Sequence, residues 1–337
     1  MTGNAYQQSP QMTVTELGYL WAGLSINDLS ARILPTFAKQ VRDEELRALY
    51  SLAQQTAENL IDSRRAILQA AEYPAPSGFT AADAYADAPR LFTDRFLIDY
   101  LRIGAQLGVI FHARSLSLAV RADIRRHTDE CVQTSSVLLQ RIMDAMLEKG
   151  LFWRTPSLPA LESPERIRKP SFLNGWFGDK RSLNSMELAN LYESLEYLGI
   201  TEALCLGFAQ TAESDEIRRF MKDGREIAHE LMGKLGEYLD KEQLPLPPGY
   251  AAEVTDATRP VFSDRLAACH IAGMFGAVIT QFGRSLGSVM RNDIAAGYLA
   301  AITRAGAYTE SLTKELIARE WLAKPPGAIE RDALTGD

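Results

Sequence analysis

The chain has 337 residues, which is enough for two domains of ordinary size that each bury a core. Hydrophobic residues make up 46% and charged residues 23%, a balance that excludes a disordered or fibrous protein. The net charge of −7 argues against binding to a phosphate backbone, so no nucleic-acid partner is predicted.

The N-terminal segment and the cysteines indicate the compartment. Met1–Gln11 is polar with no apolar signal region, and no apolar run long enough to span a membrane follows it, so no membrane partner is predicted. Cys131, Cys205 and Cys269 lie far apart and form no Cys-x-x-Cys pair. An odd, scattered set of this kind is typical of reduced thiols, which predicts a cytoplasmic protein.

Apolar residues recur at helical spacing in four successive segments of the first half. These segments begin near Leu17, Leu46, Phe96 and Ile124, and the second half repeats the scheme. No segment alternates in the manner of a strand. Each half therefore predicts four long helices.

Three short strings of the first half return 170 residues further on. The pairs are Phe92–Arg95 with Phe262–Arg265, Ala113–Leu116 with Gly283–Leu286, and Arg121–Ile124 with Arg291–Ile294. A repeat of about half the chain predicts two copies of one domain. Within the third string, Asp123 and Asp293 are the predicted N-caps of the fourth helix in each half.

The connections between the predicted helices are unequal in length. A few residues near Arg42 join the first two helices, whereas a Pro/Gly-rich stretch, Tyr73–Pro89, separates the second from the third; Leu244–Pro260 repeats it. One long crossover in an antiparallel four-helix bundle is the ferritin-like arrangement. We therefore predict an all-α fold of two tandem ferritin-like four-helix bundles, at 12–150 and 184–323, joined by a linker at 151–183.

A ferritin-like bundle raises the question of a metal site, because di-metal carboxylate sites use inward-facing Glu-x-x-His strings. One such string, Glu226 to His229, occurs in the second half. At about 100° per residue, the apolar stripe through Ile217 and Leu231 turns both side chains toward solvent. This phase argues against a dinuclear site and leaves Glu226, His229 and His270 as the metal-ligand candidates.

The third helix of the second half has small or polar residues where its counterpart is bulky. His270 and Gly273 replace Tyr100 and Ile103. Close packing of this face against another helix is the favoured explanation, and a cavity beside His270 that binds a small molecule is the alternative.

Charged residues on the apolar faces need partners, since an unpaired buried charge is costly. We predict two structural bridges that tie helix ends together, Glu16 with Arg114 and Glu187 with Arg284. A catalytic role for these residues is the alternative.

The linker carries an aromatic string that contains Phe172, Trp176 and Phe177. Three aromatic residues in so short a loop predict a wedge in the seam between the bundles. The functional alternative is an exposed interaction surface for a partner protein.

The sequence resembles the domain of unknown function 3231 family, tandem ferritin-like bundles of spore-forming bacteria related to spore-coat proteins of the coat F type. The resemblance rests on Pro-x-Pro-x-Gly-Phe/Tyr followed by Phe-Thr/Ser-Asp-Arg in each half, on the linker string Ser171–Arg181, and on the ending Trp321–Pro326. It implies the fold and a link to the spore, but it brings no catalytic residues.

These observations favour a non-enzymatic structural or protein-interaction module, with a spore association implied by the resemblance. Its expected partners are other proteins or further copies of the chain, and no cofactor is predicted. The alternative is a metal-binding protein or a diverged ferritin-like oxidoreductase with its site in the second bundle.

Overall fold

Eight α-helices form the fold within residues 11–160, 162–163, 165–175, 180–328 and 331, which are the residues that the computed structural model describes. They are α1 (Val14–Gln40), α2 (Glu44–Ala70), α3 (Asp94–Leu118), α4 (Ala122–Glu148), α5 (Ser185–Thr211), α6 (Asp215–Lys241), α7 (Asp264–Leu286) and α8 (Asn292–Ala318). This part of the chain contains no β-sheet. The predicted all-α fold with two four-helix halves is confirmed.

Each half repeats the same connections. α1 packs on α2 and α3 on α4, as α5 packs on α6 and α7 on α8. The first crossover (71–93) and the second crossover (242–263) run between the second and third helices, and each contains a 3-10 turn, Ala81–Asp83 or Ala251–Glu253. The long connection in each half is therefore where the Pro/Gly-rich segments predicted it.

The first helix of each half begins with a capping box. Thr13 and Asn184 are N-caps, and each forms a reciprocal capping box with the glutamate three residues later, Glu16 or Glu187. A cap of this type stabilises a helix by about 1 kcal/mol because it satisfies otherwise free N–H groups.

The fourth helices begin differently from the prediction. Their N-caps are Arg121 and Arg291, neither of which makes a side-chain cap bond. Asp123 and Asp293 lie inside the first turn, where each pairs with the arginine two residues before it. The predicted aspartate caps are wrong because the arginines hold both carboxylates.

The two crossovers join the halves reciprocally. Ala84 pairs with Phe262 and Phe92 pairs with Val254 in two isolated β-bridges. Ala84 and Val254 are equivalent positions, as are Phe92 and Phe262, since each pair is separated by 170 residues. Contacts of the form i with j and j with i are those of a two-fold interface. The halves are thus related by a pseudo-two-fold axis.

Tyr100 and His270 mark that axis. They are equivalent positions, and the Tyr100 hydroxyl lies 3.3 Å from His270 Nε2. Around them, the ring of Phe37 meets those of Phe92 and Phe262 in edge-on contacts. These large buried rings make one continuous core across the two halves.

Helix α5 is the central helix of the fold. Most of its side chains are buried because it packs on α6 and α7 and also on α3 of the other half. Gly207 permits one of these contacts, since a Cβ there would lie 2.8 Å from the ring of Phe92. The first half has no equivalent helix that is buried on all sides.

The seam between the bundles is filled by the start of the linker. Phe152 lies 5.8 Å from the Arg102 guanidinium, and the ring of Trp153 lies 5.5 Å from that of Tyr192 on α5. Phe172 lies elsewhere, 4.0 Å from the guanidinium of Arg181 at the end of the second bundle. The predicted seam wedge is therefore wrong for Phe172, because Phe152 and Trp153 occupy the seam.

Trp176 and Phe177, the other two residues of the predicted interaction surface, lie outside the described residues. No contact is assigned to either of them.

Helix α7 is long and apolar enough to cross a membrane, with a mean hydropathy of 1.4 in its best window. The prediction that no such run exists is wrong on composition alone. Within the protein, 56% of that window is buried, mainly against α5 and α8. This burial is the pattern of a core helix, and the remaining surface of α7 faces outward.

Candidate functional site

The predicted metal ligands do not come together. Glu226 and His229 face solvent on α6, as the helical phase predicted, and His229 hydrogen-bonds Glu202 at 3.0 Å. His270 is buried against Tyr100 and Phe208. Among the described residues, no three His, Cys, Asp or Glu side chains are close enough to hold one ion. The three candidates therefore form no shared site in this geometry.

The small residues of α7 face outward. Gly273 and Gly283 are exposed, and a Cβ added at either position would meet no atom within 4 Å. The favoured prediction of close helix packing on this face is wrong. An enclosed cavity beside Gly273 is also absent from the described part of the chain, since the position opens to solvent.

The two predicted bridge carboxylates hold loops instead of the predicted arginines. Glu16 accepts hydrogen bonds from the backbone N–H groups of Val120 and Arg121, at 2.8 and 2.7 Å. Glu187 accepts from those of Met290 and Arg291, at 3.1 and 2.9 Å. Each carboxylate thus ties the start of its bundle to the loop before the fourth helix.

The predicted arginine partners lie apart from these carboxylates. Arg114 is exposed and donates to the Tyr19 hydroxyl at 2.7 Å, while Arg284 pairs with Glu193 at 3.2 Å. Both predicted bridges are wrong because the first-turn carboxylates are already occupied by loop N–H groups. Glu187 does have an arginine, but it is Arg181 of the linker, which makes two bonds of 2.7 Å.

A second repeated set of hydrogen bonds lies at the opposite end of each bundle, between the start of the third helix and the loop that joins the first two helices. Asp94 accepts from the backbone N–H groups of Arg42 and Asp43, and Asp264 accepts from those of Glu213 and Ser214. These are the aspartates of the repeated Phe-Thr/Ser-Asp-Arg strings. The strings are therefore architectural, since each connects a helix start to a loop.

Four polar side chains from three helices form a cluster inside the first bundle: Arg64 on α2, His112 on α3, and His127 and Cys131 on α4. Arg64 donates to the backbone carbonyl of Gly23 at 3.1 Å and lies 3.3 Å from His112 Nδ1. His127 Nε2 lies 3.5 Å from Cys131 Sγ, which in turn lies 4.0 Å from Arg64. We call these four residues the polar cluster.

The electrostatics of the polar cluster follow from its burial. Burial, and then the charge of Arg64, lowers the pKa of His112 to about 3 and that of His127 to about 4. Burial raises the pKa of the Cys131 thiol to about 11 despite the nearby guanidinium. Two neutral imidazoles and a neutral thiol thus surround one cation that has no carboxylate partner among the described residues.

The polar cluster lies within the smaller of two apolar cores. Leu17, Leu24, Ile61 and Leu68 belong to this small core, and Arg64 lies between Ile61 and Leu68 on α2. The main core continues through the seam into the second bundle. All four cluster residues are less than 9% exposed, so the cluster acts as a polar interior layer that substrates do not reach from solvent.

Helical spacing alone does not bring the four residues of the polar cluster together. A signal was present, because Arg64 is replaced by Leu235 in the second half and His112 by Phe282. Arg64 and His112 are polar in the first half, and both of their equivalents in the second half are apolar. Such a joint change favours contact between the two positions inside one bundle.

Comparison with known families and structures gives the following matches. A family model described as protein of unknown function DUF3231 matches residues 1–163 and again residues 171–334. No curated protein matches the sequence. Among solved structures, a protein of Bacillus halodurans C-125 that is described provisionally as a spore coat protein is 16% identical. The alignment covers 45% of this chain and 98% of that one, with a TM-score of 0.42.

Proposed function

Because the chain belongs to the DUF3231 family of proteins of unknown function, we propose its role from its own geometry: a non-enzymatic, ferritin-like double bundle that serves as a structural or protein-interaction module. One observation carries this proposal. The carboxylates that recur at the two ends of each bundle hold parts of the fold together. A catalytic set that had been duplicated with the fold would instead leave paired acids, bases or nucleophiles directed at an open site.

The recurring residues support this interpretation at both ends of each bundle. Glu16 and Glu187 fix the loops before the fourth helices, and Asp94 and Asp264 fix the loops between the first and second helices. Between the halves, the backbone N–H groups of Thr93 and Ser263 donate to the opposite crossover at 3.0 Å. These bonds stabilise one double bundle with a fixed relation between its halves.

The spore is the proposed location, with synthesis in the cytoplasm. This part of the proposal rests on the resemblance of the repeated motifs and the linker string to spore-coat relatives. The buried thiols of Cys131 and Cys205 are consistent with a reducing compartment, since both cysteines are free.

The proposed contact surface is the linker string that includes Phe172, Trp176 and Phe177. Phe172 is half-buried on Arg181, and Leu173 beside it is 41% exposed. An aromatic segment beside exposed aliphatic surface is typical of a site that docks another protein.

Fractionation of mature spores tests this proposal. We expect the chain in the coat extract, and a Trp176→Ser/Phe177→Ser variant to be depleted from that extract. Val137→Ser is the control, because Val137 is an exposed apolar residue on α4 that lies outside the linker string. A chain found only in the soluble cell fraction, with no stable protein partner on size exclusion, would contradict the proposal.

The geometry of its three candidate residues does not favour the metal-binding or oxidoreductase alternative. Its three residues, Glu226, His229 and His270, lie in different environments, two exposed and one buried in the seam. Elemental analysis of untagged protein and of a His229→Ala/His270→Ala variant tests this alternative separately. Stoichiometric metal that the variant loses would replace the structural proposal with a metal-centred one.

A further inference from the structure

An open cleft of about 540 Å³ lies where the end of α1, the start of α2 and the first crossover meet. Four cationic side chains line it: Lys39, Arg42, Arg47 and Arg90. No aspartate or glutamate is among its lining residues. We call this feature the cationic cleft; it is unusual in a chain whose net charge is −7.

Most of the positive charge in the cationic cleft has no acidic partner. Arg90 pairs with Asp94 at 2.8 Å, but Lys39, Arg42 and Arg47 make no ion pair with any described carboxylate. Arg47 donates one N–H to the carbonyl of Val41 at 2.8 Å, and the other N–H groups of its guanidinium can bind a ligand. Like charges gathered without partners repel one another in the empty protein, and an anion would relieve that repulsion.

The nearest acidic residues at the start of α2 are already paired elsewhere. Lys149 binds Asp43 at 2.8 Å and Glu45 at 3.0 Å. Asp43 also caps α2 through the N–H of Leu46. The carboxylates that border the cationic cleft are Asp94, which pairs with Arg90, and Glu213, which accepts from the Tyr85 hydroxyl.

The duplication supplies an internal comparison. At the positions equivalent to Lys39, Arg42 and Arg90, the second half has Gln210, Glu213 and Pro260. The same fold therefore forms at this end without three of the four cations. Because the fold does not need them, they are available for a separate task of the first half.

We propose that the cationic cleft binds a phosphorylated small organic molecule. Arginine forks match phosphate oxygens in pairs, and three arginines with one lysine suit a group that carries two charges. The volume lies within the range of small-molecule pockets. The half-buried ring of Tyr85 gives an organic portion apolar surface to contact, and the Tyr85 hydroxyl is held by Glu213 at 2.9 Å.

Calorimetric titration of the full chain at low ionic strength tests this site with pyrophosphate and with phenyl phosphate. We expect saturable binding of one equivalent of each, weaker binding of benzoate, and an affinity that falls as salt is added. A Lys39→Gln/Arg42→Glu variant, which carries the residues of the second half, is expected to bind at least about tenfold more weakly. Both side chains are exposed, so the variant is expected to fold, which its melting temperature checks.

The matched control is a Lys222→Gln/Arg219→Glu variant. It makes the same change in net charge on exposed residues of α6 and is expected to keep the affinity within about twofold. No saturable binding to the wild-type chain would overturn the proposal, as would an equal loss in both variants. Binding to phosphatidic acid vesicles without binding to the free phosphate compounds would also overturn it, because the ligand would then be a lipid surface.

Discussion

The two bundles share one fold but fill it with different interiors. The first bundle contains the polar cluster, whereas the second has apolar or small residues at the same positions: Leu235 for Arg64, Phe282 for His112, Gly297 for His127 and Ala301 for Cys131. Both interiors are buried. The comparison separates what the fold requires, which both halves keep, from what only one half carries.

The hydrogen bonds from Glu16 and Glu187 to the loop before the fourth helix occur in both halves, so they belong to what the fold requires. Glu187 is fully buried and holds Arg181 in addition to its loop, while Glu16 holds only N–H and hydroxyl groups. Replacing a buried carboxylate that pairs with arginine leaves an uncompensated cation, and replacing one that holds amides leaves unsatisfied donors. We therefore expect the carboxylate to contribute more to the free energy of unfolding in the second half than in the first.

The largest expected effect is that of Glu187→Ala. We expect a loss of about 3–5 kcal/mol in the free energy of unfolding, against about 1–3 kcal/mol for Glu16→Ala. Urea unfolding followed by circular dichroism measures both values. Equal losses would show that the pairing of Glu187 with Arg181 adds nothing to the stability of the second half.

The next effect is the loss of stability of the folded chain at low pH. The pKa values of His112 and His127 are lowered from 6.5, so the unfolded chain binds more protons than the folded one below that pH. The contribution of these residues to stability is therefore complete above about pH 6.5 and is lost as the pH falls toward 3. A His112→Gln/His127→Gln variant should lose less stability than the wild type between pH 7 and pH 4, by at least about 2 kcal/mol.

His270 gives the control for that comparison. Burial lowers its pKa to about 4 as well, but it lies in the seam and not in the polar cluster. His270→Gln should reduce the acid sensitivity of the contact between the halves and leave that of α1–α4 unchanged. If His270→Gln protects the first bundle as well as the double variant does, the polar cluster is not the acid-sensitive element.

A smaller effect is expected at Gly207. A Cβ there would lie 2.8 Å from the buried ring of Phe92, so Gly207→Ala should destabilise the chain by about 1–3 kcal/mol through overpacking. Thermal unfolding measures this loss. A neutral result would mean that the ring of Phe92 moves easily and that the seam is loosely packed.

The smallest effect is a gain. Gly273 lies on the outer face of α7 with no atom within 4 Å of an added Cβ. Gly273→Ala should stabilise the chain by up to about 1 kcal/mol, because alanine favours the helix. Destabilisation would show that this face packs against another chain in solution.

Part of this architecture was accessible from the sequence. The 170-residue repeat predicted the duplication, and helical spacing predicted the eight helices, because both signals are local or periodic. The phase of α6 also placed Glu226 and His229 correctly toward solvent.

The pairings between helices were not accessible. Helical phase states which face a residue occupies but not which residue of another helix lies at the same height. For this reason the sequence predicts Arg114 as the partner of Glu16, although the loop N–H groups of Val120 and Arg121 are its partners. The exchange of crossovers between the halves is not predicted for a similar reason, since its two bridges join residues 178 and 162 positions apart that have no local signal.

Hydrogen exchange resolved by helix, at pH 7 and at pH 4, tests most directly that the two halves share their ties but differ in their interiors. We expect amides of α1–α4 to lose protection at pH 4 before those of α5–α8, and we expect His112→Gln/His127→Gln to restore the protection of α1–α4. Equal loss in both halves, or earlier loss in α5–α8, would contradict it.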